Sequence, residues 1–355
     1  MTNEILAHGF DSILMKHLPK LFCFEVKLNS LYHKQDYISL LVKASILNSF
    51  AEGTGNVSRK LLLGGGRLLT GETALSYFKT IDRFELQSVV GIVIEDQLTE
   101  LKRIGLLDKP VPIAFDWHDQ MFYGDSENAD MVNGTKPKEG SSYAYQYMSA
   151  SILVDDRRLT VALIPIKSRE HLLSYVEYAL AQIKSMGISV KYLLFDGGFS
   201  SVSLPVYLQE HGYRYILHFT PNRLTKRMNL EDGKSSMYPC EHGRSFKLVR
   251  VDDSETNIKY LFATNMDCKS KRILKRFKQR WGVETSYRKH NEFLARTTSK
   301  NYVVRLLYYS VAICIYNCWC ILNALQGQKR DGGAHIIVLE VKLILLFEFF
   351  SIMPM

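Results

Sequence analysis

A chain of 355 residues, 46% apolar and 23% charged, can bury a full core, which excludes a miniprotein that needs disulfides or metal to fold and a long disordered tract. The formal charge of +9 favours a polyanionic partner, nucleic acid first and an anionic membrane second, because lysines and arginines facing phosphates release condensed counterions. The six cysteines have no CxxC spacing and no paired histidines, so they signal neither a zinc framework nor a disulfide scaffold and fit a reducing cytoplasm.

The first twenty residues have no basic start followed by an apolar core and a cleavage site, so export is not indicated. Residues 33–108 read mostly as helices, with apolar residues three and four apart in YISLLVKASILNSF and FELQSVVGIVIEDQLTELKRIGLL. Between these two runs Gly64, Gly65 and Gly66 mark a turn, and Thr70 or Thr73 is placed to cap the helix that follows. Arg59, Lys60 and Arg67 could touch DNA from such a helix-turn-helix shape, although an ordinary helical bundle explains the pattern as well.

Pro110 and Pro112 punctuate the chain and mark a domain boundary. The pattern then changes to β-branched and aromatic runs in VPIAFDWHDQMFYG, YAYQYMSASILVDD and LTVALIPIK, which predict three consecutive antiparallel strands. An amphipathic helix ending at Gly187 follows, then a short apolar strand, VKYLLFDGG, implying a crossover to a parallel strand. The helix SLPVYLQEHG, the strand YRYILHF and a β-rich insertion at about 221–265 come next. Helix returns near Lys269 and runs, with a break near Gly282, towards apolar C-terminal helices.

The run 306–322 is uncharged for most of the length a spanning helix needs, but Arg305 leads into it and Asn317 interrupts it, so it reads as a buried helix. Cys314 and Cys318 share a face of that helix and read as buried thiols. This gives three parts: a helical N-terminal domain over 1–108 with possible DNA-end binding, an α/β domain over 109–325, and a tail over 326–355.

Asp116 follows the apolar run VPIAF and Asp196 follows KYLLF, so each acid sits at the end of a buried strand, where open α/β sheets gather their catalytic groups. Taken singly, each is equally well a turn aspartate opening a loop. A third acid, Glu284, stands alone in the most basic segment, KSKRILKRFKQRWGVETSYRKH. A helix over 277–291 would put Phe277, Arg280, Trp281, Glu284, Arg288 and Asn291 on one side. Pairing of Glu284 with Arg280 and Arg288 would account for that helix alone, but not for the two strand-end acids. A divalent metal site accounts for all three: Mg²⁺ prefers oxygen ligands, and two such ions can activate water and stabilise the leaving oxygen of a phosphodiester. Asp116 and Asp119 miss the Asp-x-Asp spacing of aspartyl-phosphate phosphatases by one residue, and His118 reads as structural more readily than as a proton-transfer group.

The segments FDWHDQMFYGD, LLFDGGF and RWGVETSYRKHNEFLARTTS resemble the three catalytic blocks of insertion-sequence DDE transposases, within the group that has a β insertion between the second aspartate and the glutamate. The resemblance covers about residues 110–325. It implies a ribonuclease-H-like mixed α/β sheet flanked by helices, with a β-rich insertion and a helical N-terminal domain. It also implies that Asp116, Asp196 and Glu284 bind two Mg²⁺ or Mn²⁺ ions for DNA strand cleavage and transfer, and that Lys278, Arg280, Trp281, Arg288 and Lys289 contact DNA.

In the Tyr, Arg, Glu, Lys signature of this group, Arg280 matches the arginine, Phe277 stands at the tyrosine position and Asn291 at the lysine position. The implied protein binds terminal inverted repeats and target DNA as a homodimer, away from any membrane, in the cytoplasm on the nucleoid. Asn291 leaves room for a second reading, a catalytically impaired or repurposed DNA-binding descendant of such an element.

Overall fold

The computed structural model describes residues 13–61, 69–103, 105–127, 129–154, 157–280, 291–326 and 342. The described residues divide into two compact units. One draws on 1–105, 122–130 and 286–355 and is helical; the other draws on 106–121 and 131–285 and carries the sheet.

In the sheet unit the strands are β1 (Val111–Met121), β2 (Val132–Lys138), β3 (Ser141–Val154), β4 (Arg157–Ile166), β5 (Val190–Phe195), β6 (Tyr215–His218), β7 (Ser235–Pro239), β8 (Ser245–Asp252) and β9 (Lys259–Thr264). They form one mixed sheet in the order β2-β3-β1-β5-β6-β9-β8-β7, with β4 pairing β3. β3 runs antiparallel to both β1 and β4, as their β-branched and aromatic runs predict, while β1, β5 and β6 are mutually parallel. The three parallel strands are short apolar runs because helices cover such strands on both faces. Ile113, Ala114, Phe115, Leu193, Leu194, Phe195, Ile216 and Leu217 are all buried.

The crossovers are α5 (Leu172–Ser185), between β4 and β5, and α6 (Ser203–Glu210), between β5 and β6. α5 stops where expected, since Gly187 takes a left-handed φ of +64° that a side chain would strain. The insertion between β6 and the next long helix holds a short helix, α7 (Arg223–Met228), and β7 to β9. These strands do not fold apart; β9 pairs with β6, so the insertion lengthens the main sheet. α8 (Ser270–Lys278) follows, with Ile273, Leu274 and Phe277 buried.

In the helical unit α1 (Lys34–Ile46), α2 (Ala51–Leu61), α3 (Gly71–Phe78) and α4 (Arg83–Arg103) are joined by α9 (Tyr302–Gln326). The Thr70 hydroxyl caps α3 by accepting from the Thr73 N–H at 3.2 Å. α9 is apolar on every face and therefore needs neighbours all round. In length and composition it is the one described helix that would cross a membrane, yet nearly all of it is buried, including Cys314 and Cys318. Two of its polar groups meet one side chain: Gln97 of α4 donates to the Cys314 carbonyl at 2.9 Å and accepts from Asn317 at 3.1 Å. Chain order groups α9 with the strands that precede it; packing groups it with the N-terminal helices.

Candidate active site

The register of the parallel strands builds the site. Phe115 pairs with Phe195 across β1 and β5, and Phe195 with Leu217 across β5 and β6. The residues that follow are Asp116 in the middle of β1, Asp196 just past β5 and His218 at the end of β6, so these three form a row where the parallel pairing stops. Adjacent strands lie about 4.8 Å apart, and residues in register point to one face. Phe115 and Phe195 stack at 4.6 Å on the opposite face, which fixes the two acids on the other side of the sheet.

Each acid is held differently. β1 continues beyond Asp116, which remains within the β1–β3 ladder opposite Ser149 and is 6% exposed. β5 ends at Asp196, whose side chain accepts from the Gly198 N–H at 2.9 Å and caps a 3-10 turn over Gly197–Phe199. Gly198 has no substitute here: a Cβ would lie 2.8 Å from Cδ1 of Trp117 and 3.1 Å from the Asp196 Oδ1. Phe199 then stacks on Trp117 at 4.7 Å, so Asp196, Gly198 and Phe199 pack together around the turn that presents the carboxylate.

Arg280 brings positive charge to this face. Its Nη1 lies 3.5 Å from Asp116 Oδ1, with both side chains less than a tenth exposed, and its guanidinium packs over the Phe277 ring at 5.5 Å. His218 sits against Tyr260 at 5.3 Å and Phe277 at 5.9 Å. Burial lowers its pKa against the upward pull of Asp196, with Arg280 adding to the fall, which favours the neutral imidazole.

Two neighbouring candidates have structural duties. Asp119 lies on the opposite face of β1 from Asp116 and accepts from Thr135 and, at 2.9 Å, from Gln146; Arg169 is 3.7 Å away. The paired-acid phosphatase arrangement is therefore not formed. Desolvation pushes His118 down to about 4, with Asp119 opposing and Lys138 reinforcing, so the ring is neutral at neutral pH and cannot serve there as a proton donor of imidazolium type.

Lys278 bonds Asp253 at 3.0 Å and Glu255 at 2.6 Å, which commits its ammonium to the insertion. Glu284, Trp281, Arg288, Lys289 and Arg67 lie outside the described residues, and of Arg59 and Lys60 only the backbone, in α2, is described. Asn291 is exposed, and its carbonyl accepts from Asn48 at 2.7 Å. His218 was not singled out from the sequence, although YILH repeats the signal that marks the two acids, a short apolar run closing on a polar residue.

Among the described residues no group of three or more His, Cys, Asp or Glu side chains is gathered as metal ligands. The two adjacent carboxylates are hard oxygen donors of the kind a divalent cation takes, and so fit part of such a site.

A family model described as Transposase DDE domain matches residues 109–318, more than half the chain and a span that contains Asp116, Asp196, His218 and Arg280. No curated protein matches the chain in sequence.

Proposed function

The chain belongs to the transposase DDE-domain family, and from that premise we propose that it binds the terminal inverted repeats of an insertion sequence, hydrolyses a phosphodiester at each end and joins the freed 3′-hydroxyl to target DNA. The observation that carries this reading is that Asp116 and Asp196 directly follow the paired Phe115 and Phe195 of adjacent parallel strands, with a buried arginine beside Asp116.

Asp116, Asp196 and Glu284, the last from the basic segment after α8, would hold two Mg²⁺ or Mn²⁺ ions. Bound there, such ions lower the pKa of the attacking water and stabilise charge on the scissile phosphate. Arg280 holds the Asp116 carboxylate in place and adds positive charge beside the scissile phosphate. The ring of His218, backed by Tyr260 and Phe277, stands near Asp196 as a neutral hydrogen-bonding group. Arg288, Lys289 and Trp281 grip the flanking strand. Two copies act together because two ends must be joined, and the setting is the cytoplasm, on nucleoid DNA.

The test is strand nicking of DNA that carries the element ends, with Mg²⁺ or Mn²⁺ added. Asp116→Asn and Asp196→Asn should each reduce nicking to background while retaining most DNA binding. Full nicking by both variants would refute the assignment.

A further inference from the structure

The loop leaving β6 is bonded to the turn that carries Asp196. The Thr220 N–H donates to the Ser200 hydroxyl at 2.9 Å, and the Thr220 hydroxyl donates to the Gly197 carbonyl at 3.3 Å. Two residues on, Asn222 caps α7: its side chain accepts from the Thr225 N–H at 2.9 Å, and its own N–H donates to the Thr225 hydroxyl at 2.8 Å. The Asn222 amide also donates to the Tyr238 hydroxyl at 2.9 Å, which pins the start of α7 to β7. Thr225 is buried, so the helix has a fixed inner side.

Its other side carries Arg223, Lys226 and Arg227, at spacings of three and four, all exposed. Among the described residues no carboxylate pairs with these three cations. Of the acids that follow α7, Asp232 is engaged by the Asp252 N–H at 2.9 Å. From Thr220 to Arg223 the backbone reaches at most about 10 Å. That is roughly three nucleotide steps along one strand of a duplex. A rigid, unneutralised triple charge thus stands a few phosphates from the acid pair, on the same ends of the parallel strands.

We propose that α7 is a DNA-backbone clamp, in which Arg223, Lys226 and Arg227 bind phosphates of the strand whose scissile bond lies at Asp116 and Asp196. The location of that bond rests on the transposase reading above; the clamp itself is a separate set of contacts. Because it touches phosphates and not bases, it adds affinity and register without sequence preference.

The experiment measures binding of the full chain to a labelled DNA duplex of arbitrary sequence as salt is raised. Each lost phosphate contact reduces the slope of log K against log salt by about 0.9, so Arg223→Ala/Lys226→Ala/Arg227→Ala should flatten it by about 2.7. A control, Lys184→Ala/Lys191→Ala/Arg214→Ala, removes the same charge from exposed positions at the opposite ends of β5 and β6 and should leave the slope unchanged. Equal flattening by both triple variants would overturn the clamp, as would no flattening by the first. Should the α7 triple variant melt below the wild type, the single exposed change Arg227→Glu is read on the same slope; flattening supports the clamp and an unchanged slope overturns it. Nicking that survives in Asp116→Asn, with the α7 slope change intact, removes the catalytic assignment and leaves the clamp standing.

Discussion

The buried pair of Arg280 and Asp116 gives a quantitative handle on the site. Its side chains are 8% and 9% exposed and the closest approach is 3.5 Å, longer than a charge-assisted hydrogen bond of about 2.7–2.9 Å. Removing one partner from a buried pair typically costs about 3–5 kcal/mol, because the other charge stays behind in a poorly solvated place. The long contact puts this pair at the low end, so Arg280→Met and Asp116→Asn should each lose about 3 kcal/mol of unfolding free energy. The double variant leaves no orphaned charge and should lose about as much as either single change, far less than the sum. Urea unfolding of the four proteins at one pH measures this cycle. If the single losses add to within about 0.5 kcal/mol in the double variant, the two groups are energetically independent and the arginine does not hold the acid.

Gly198→Ala places a methyl 2.8 Å from Trp117 and 3.1 Å from Asp196. It should destabilise the fold by about 1–3 kcal/mol and reduce nicking, which melting curves and the nicking assay read together. For His17, fully buried, burial lowers the pKa from 6.5 more than nearby Asp96 raises it, with Lys16 and Lys20 also lowering it and Glu100 raising it. The unfolded chain therefore binds more protons just below pH 6.5, so unfolding free energy should fall as pH drops through that window, and His17→Gln should remove this part of the slope. Gln97→Leu removes the side-chain acceptor of the Asn317 amide and the extra donor to the Cys314 carbonyl inside the helical unit. It should lower stability by about 1–3 kcal/mol, with Asn317→Leu recovering part of that loss in a thermal melt of the double variant.

The strands that build the site were readable because their composition is distinctive. VPIAF and KYLLF are apolar runs that close on an acid, and the β3 and β4 runs are β-branched and aromatic. β2 and β7 were missed for the opposite reason. VNGTKPK is polar and largely exposed, and pairs only with the first residues of β3; SSMYP ends in a proline at the edge of the sheet. The pairing of Asp116 with Asp196 depends on register, which hydropathy does not encode, and the insertion's merger with the main sheet depends on the β6–β9 ladder. Asp-Gly-Gly-Phe was recognised as a motif, but the reason for its second glycine, the Trp117 ring behind it, is a tertiary fact. Glu284, the third acid of the sequence reading, lies outside the described residues, so its expected convergence with the other two stands as a proposal.

The position of α9 has a consequence for synthesis. The helices that surround it end at Arg103, while α9 itself is completed only at Gln326. At about 5–20 residues per second, a ribosome needs roughly 11–45 s to cover that interval. Throughout it the nascent N-terminal helices expose an apolar hollow whose filling has not yet been translated, which makes this half of the newborn chain a client for chaperones and a target for proteases until the last long helix arrives.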